Sequence, residues 1–172
     1  MKLNDLTPAE RERIATAMHE AGHAVAVVLA GGHVGLAEVY DTERNGRVGH
    51  TTHTGLSPDA ERAVTYAGPY AEARWQFGPR PRIDQVRAAL SGTCDHAELT
   101  AAGGGLPREV EPTIEVVWPA IKALGADLFR DGRADHDAVL AALGAASEDD
   151  LPMIRSLIKS KTWEPGLIVA RA

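Results

Sequence analysis

Apolar residues at Ile14, Met18, Ala21, Val25 and Val28 step by 4, 3, 4 and 3, the spacing that lines one face of an α-helix. The helix also carries its own start signal. Thr7 can cap it, Pro8 sits where a missing N–H costs nothing, and Glu10 three residues on completes a capping box. Gly31-Gly32 then supplies a stop, so the pattern predicts a helix from Pro8 to about Ala30. Two β-like runs follow, 34–40 and 47–54, joined by a turn containing Asn45-Gly46, the commonest two-residue hairpin signal.

Ser57-Pro58-Asp59 restarts helix, carrying Tyr66, Ala67, Tyr70, Ala71 and Arg74 to Gly78, with Pro79 and Pro81 beyond it. Gly68-Pro69 in its middle is expected to kink or thin it. After a short apolar segment with Ile83, Val86 and Leu90, the turn Ser91-Gly92-Thr93 leads into a helix holding Asp95, Glu98 and Leu99, which glycines 103–105 end. One long helix is expected over about 113–130 despite Pro119, another over 135–143, and a last one from about 148 to 161. There is no internal repeat and no long linker. The expectation is a single domain over 1–172, mainly α with a small β-hairpin or sheet, in the α+β class.

Composition narrows the function. Among 172 residues, 18 basic against 24 acidic side chains leave a net charge of −6 without a long basic run, which takes away most of the electrostatic basis for a nucleic-acid or anionic-membrane partner. The longest apolar stretch, 24–30, is far too short for a bilayer. Cys94 is the single cysteine and cannot form an intramolecular disulfide, and the opening MKLNDLTPAERER has no apolar signal core. A cytoplasmic protein is the expectation. Trp75, Trp118 and Trp163 are too dispersed for a stacking platform, and glycines 103–105 lack the Lys-Ser/Thr ending of a phosphate loop.

The chemistry is concentrated in His19-Glu20-Ala21-Gly22-His23, an H-E-x-x-H on the first helix. Four residues turn about 400°, so the two imidazoles end one turn apart and can converge on one ion. Glu20 lies about 100° round from His19, placed to act on a water at the metal and not as a ligand. On the wheel the histidines sit roughly 120–160° from the Met18/Val25 stripe, off the main apolar face. Spacing does not choose a third ligand: Asp95, His96, Glu98, Asp84 and Glu72 are all candidates. Cys94 is expected to be a small buried residue. His33, His50 and His53 are candidate oxyanion partners, against the plainer reading of exposed hairpin histidines.

The stretch Met18-His19-Glu20-Ala21-Gly22-His23-Ala24-Val25 resembles the zinc-site helix of the FtsH-type metalloproteases, the M41 peptidase family. The segment from Tyr66 through Gly68-Pro69, Ala71-Glu72 and Phe77-Gly78 is similar to that family's L-G-G-R-A-A-E-E-x-x-F-G helix, and Ser91-Gly92-Thr93-Cys94-Asp95 to its G-A-S-N-D segment. The likeness covers about 9–145, leaving a C-terminal helix and tail over 146–172. It departs where Pro69 replaces arginine and Cys94 replaces asparagine, and the expectation is a stand-alone domain without an ATPase module or membrane anchor before it. It implies a zincin-like fold and one Zn2+ held by His19, His23 and, as third ligand, Asp95.

The expected function is therefore a zinc-dependent, ATP-independent metallopeptidase that hydrolyses flexible or unfolded polypeptides through a metal-activated water, with Glu20 as general base. The 47–54 strand is a candidate to dock peptide by strand addition. A homo-oligomer or a separate unfoldase is the expected partner besides substrate. The alternative is a binding or adaptor module that keeps the fold and the zinc with weak or no catalysis.

Overall fold

A computed structural model describes residues 6–44 and 47–166. The first helix, α1 (Pro8–Ala30), starts as its capping chemistry dictates: the Glu10 N–H donates to Thr7 Oγ1 at 3.2 Å and the Thr7 N–H donates back to Glu10 Oε2 at 2.8 Å. It ends at Gly31, whose φ of 92° turns the chain left-handed so that the Gly32 N–H reaches Val27 O at 2.9 Å. Arg155 caps the remaining carbonyls, donating from Nε to Leu29 O and from Nη2 to Val28 O at 2.8 and 3.0 Å.

One apolar stripe understates this helix. Every residue from 15 to 28 is buried except Thr16 and His19, which are half-buried. The reason is that α1 runs through the middle of the molecule, with helices on one side and a sheet on the other. Its small residues permit that. A Cβ on Gly22 would lie 2.7 Å from both Ala67 O and Ala71 Cβ of the second helix, so the two backbones meet at a distance only glycine allows.

The sheet is formed by β1 (His33–Arg44), β2 (Arg47–Thr54) and β3 (Arg133–Ala134) in the order β2-β1-β3, antiparallel throughout. The expected hairpin pairs Ala37 with Thr51 and Val39 with Gly49, while the Asn45-Gly46 turn falls outside the described residues. The third strand is too short for any alternation to announce it; it pairs Ala37 with Ala134, so β1 is central and β2 is an outer strand with one free edge.

The second helix, α2 (Pro58–Phe77), is one helix that includes Gly68-Pro69. It is followed by α3 (Ile83–Leu90) and α4 (Cys94–Ala101). The long helix expected over 113–130 is two, α5 (Glu111–Val116) and α6 (Trp118–Asp131), broken at Val117. Pro119 is the cause, since its ring excludes the Glu115 carbonyl of a continuous helix and it has no N–H to return. Then come α7 (His136–Leu143), capped by Asp135, and α8 (Leu151–Lys159), which starts at Leu151 because residues 148–150 form a separate turn of 3-10 helix. All contribute to one continuous core in which Trp118 and Trp163 are buried and Trp75 partly so. Among the described residues no helix is long and apolar enough to cross a membrane.

Candidate metal centre

His19 and His23, one turn apart on α1, present rings whose centroids lie 4.7 Å apart at 74°. Each ring is held by its far nitrogen. The His19 Nδ1–H donates to Glu72 Oε2 at 3.0 Å, and the His23 Nδ1–H donates to the Val64 carbonyl at 2.8 Å. Both acceptors belong to α2. A proton on Nδ1 leaves the lone pair on Nε2, and both Nε2 atoms point at the same carboxylate. Asp95 Oδ2 stands 2.9 Å from His19 Nε2 and 3.5 Å from His23 Nε2, and one ligand atom from each residue lies within 4.8 Å of the others.

Asp95 arrives through local capping. Thr93 accepts the His96 N–H at 3.2 Å while its own hydroxyl donates to Leu90 O at 2.8 Å, which fixes the first turn of α4 over the two histidines. The competing donors are elsewhere. Asp84 is exposed and paired with Arg82, His96 is exposed, Glu98 stands exposed at the cleft wall, and Glu72 is engaged on the far side of His19. Cys94, expected to be buried, is exposed at the rim because it opens α4 one residue before the side chain that turns inward.

Three electron-pair donors thus face one another in a largely enclosed place, and only a cation reconciles them. Protons are one solution. Burial opposes charge on His19, but hydrogen bonds to Asp95 and Glu72, with the fields of Glu20 and Asp95, outweigh it and raise its pKa to about 10. His23 is raised too, burial again opposing and Asp95 the strongest support. Burial likewise works against the Asp95 carboxylate, yet the adjacent His23 and His19 hold it far below the usual carboxylate range. A divalent ion is the other solution, and the donor set fits zinc: two imidazoles and one carboxylate, with the far nitrogens anchored by a carboxylate and a carbonyl.

Glu20 is buried beside this group. Thr51 Oγ1–H on β2 donates to Glu20 Oε2 at 2.7 Å, and a Cβ on Gly49 would lie 2.7 Å from Glu20 Oε1. The carboxylate is therefore held by the outer strand, in space that a side chain at 49 would take. The centre opens into a cleft of about 360 Å³ between β2, α2 and the start of α4. A groove of about 880 Å³ adjoins it, sharing Thr16, Val48, Glu72 and Thr93 as common wall.

The three oxyanion candidates part company. His50 and His53 line the cleft, whereas His33 stacks on His136 away from it, with ring centroids 4.1 Å apart. His53 is half-buried and not an exposed hairpin residue. His33, His136 and Glu148 form a second group close enough to hold an ion, but its chemistry is wrong. The Val34 N–H donates to His136 Nδ1 at 3.2 Å, which spends that lone pair and puts the ring proton on Nε2. That nitrogen lies 2.9 Å from Glu148 Oε1 without hydrogen-bond alignment. The sequence offered Glu72 only as a candidate ligand and gave no sign of its support for His19, and it did not point to Thr51 or Gly49 at all, both from a strand distant in the chain from Glu20.

No family model matches the chain, and no curated protein matches its sequence.

Proposed function

We propose that this protein is a zinc-dependent metallopeptidase of zincin-like fold, similar to the FtsH-type M41 domain, acting on flexible or unfolded polypeptides. The observation that carries the reading is the direction of the two imidazoles. Both give their Nδ1–H to α2 and turn their Nε2 lone pairs toward the Asp95 carboxylate. His19, His23 and Asp95 would hold the ion. Three protein ligands is the count of catalytic zinc sites, where four is the structural one.

Zinc bound there would polarise a carbonyl oxygen and acidify a water at neutral pH. Glu20 receives the proton of the attacking water on its carboxylate and later passes it to the leaving amine. Thr51 keeps that carboxylate in one orientation by its 2.7 Å hydrogen bond. The outer edge of β2, beside the cleft, suits an extended peptide that adds as a further strand, which gives backbone affinity with little sequence preference. Folded chains spend that backbone internally, so segments already extended are the substrates.

Elemental analysis with a casein or unfolded-protein cleavage assay tests this. About one zinc per chain, absent from His23→Ala, and turnover abolished in Glu20→Gln with zinc retained, is the expected result. Protein that takes up no zinc sinks the reading. Zinc retained without turnover of any unfolded substrate leaves a zinc-binding adaptor module instead.

A further inference from the structure

Resting on the peptidase reading, we infer that His53, oriented by Glu61, is a catalytic residue that stabilises the oxyanion formed at the scissile carbonyl. Strand alternation places it. Thr51 points from β2 to Glu20, and His53 two residues on shares that strand face; His50, which also lines the cleft, sits on the alternate face of the strand. His53 lines the cleft together with His23, Val64 and Thr65.

Its two nitrogens have different fates. Nε2 is 2.8 Å from Glu61 Oε2 on the first turn of α2, so the carboxylate accepts its proton and sets the ring orientation. Nδ1 is shielded from solvent and has no hydrogen-bond partner among the described residues. A buried polar atom without a partner, on a residue that lines a cleft, calls for a partner that the described residues do not supply. A carboxylate on one ring nitrogen favours the imidazolium form, and in that form the other nitrogen can donate a directed hydrogen bond.

The step balances without further reagents. The water oxygen bonds to the carbonyl carbon, its proton goes to Glu20, and the C=O π pair moves onto the carbonyl oxygen. With Nε2–H still given to Glu61, a proton on Nδ1 of His53 would donate to that oxygen as its charge grows. When the C–N bond breaks, the pair leaves with nitrogen, Glu20 protonates it, and the oxygen reverts to a carbonyl, releasing the hydrogen bond. Glu61 touches no reacting atom and is a positioning residue.

The test compares wild type, His53→Leu and His53→Asn as zinc-loaded proteins, measuring kcat and KM on an unfolded peptide and the affinity for a phosphinic peptide, whose tetrahedral phosphorus mimics the adduct. For His53→Leu a loss of about 10²–10³ in kcat is expected, with KM nearly unchanged and phosphinic affinity weakened in parallel. Zinc content and melting temperature should match wild type. Asn keeps a donor where Nδ1 stood and should recover about tenfold of the lost rate. A kcat within threefold of wild type, or phosphinic affinity unaltered in His53→Leu, overturns the role of His53 while leaving the peptidase standing. Zinc-loaded wild type that neither cleaves peptide nor binds the phosphinic peptide overturns both.

Discussion

Gly68 of α2 lies directly against the His23 ring: a Cβ there would be 2.3 Å from Nε2 and 2.5 Å from Cε1. The nitrogen proposed to hold the metal is thus packed against bare backbone, and the next residue, Pro69, belongs to the same unbroken helix. The close approach also delivers the Val64 carbonyl to His23 Nδ1, so one contact fixes both the position and the tautomer of the ring.

Gly68→Ala should therefore weaken zinc binding more than it weakens the fold. If the overlap with the ring is relieved by turning His23 away from Asp95, a loss of about 10–100-fold in zinc affinity is expected, the size seen when a ligand's support is removed. Competition with a chromogenic chelator measures it. An affinity equal to wild type would show that the helices separate freely at this point.

Glu72→Ala removes the carboxylate behind His19 without touching the metal donors. Zinc affinity should again drop by about 10–100-fold, and Glu72→Gln, which still accepts from Nδ1–H, should fall less. Equal effects of the two variants would mean that the charge matters and the hydrogen bond does not.

Thr51→Val deletes one hydroxyl of nearly constant volume. Zinc content should be unchanged, while kcat falls by about tenfold because Glu20 loses the hydrogen bond that orients it. A fall in bound zinc would place Thr51 in the fold of the centre and not in the orientation of the base.

Glu115 ties α2 to α5 by accepting Tyr70 O–H at 2.9 Å, Arg74 Nε–H at 3.1 Å and the Arg80 N–H at 2.9 Å. Glu115→Leu would leave a mostly buried guanidinium and a hydroxyl without partners, and a loss of about 2–4 kcal/mol is expected in urea unfolding. A loss below 0.5 kcal/mol, on the order expected for an exposed pair, would show that water reaches these groups.

The α1 cap carries a pH signature. Hydrogen bonds from the Thr7 backbone N–H, and then from its hydroxyl, hold the Glu10 carboxyl below its ordinary value of 4.5. A depressed folded pKa stabilises above the unfolded value and ceases to do so as pH falls through the folded one. Wild type should accordingly melt higher than Glu10→Gln at pH 7, with the gap closing below about pH 4. A gap independent of pH would assign the difference to amide geometry and not to charge.

Local chemistry in the sequence was enough for the elements that surround the centre. Thr7, Pro8 and Glu10 start α1 and Gly31 stops it with no help from the rest of the chain, because caps satisfy backbone groups within four residues of themselves. The same holds for Ser57 at α2 and Thr93 at α4. It failed where length or competition decided. Pro119 was outweighed in a pattern read over eighteen positions, and a two-residue strand has no period to read.

By itself, then, the sequence determined that His19 and His23 share a helix face with Glu20 beside them, since helical geometry follows from spacing alone. Only the tertiary structure could decide which carboxylate meets them and which supports them. Asp95 is 76 residues from His19, and Glu72 is 53 away. Their separate duties depend on where α4 and α2 pack, which depends in turn on the room left at Gly22 and Gly68. The direction of each imidazole, and hence its capacity to bind a metal, is a property of that packing.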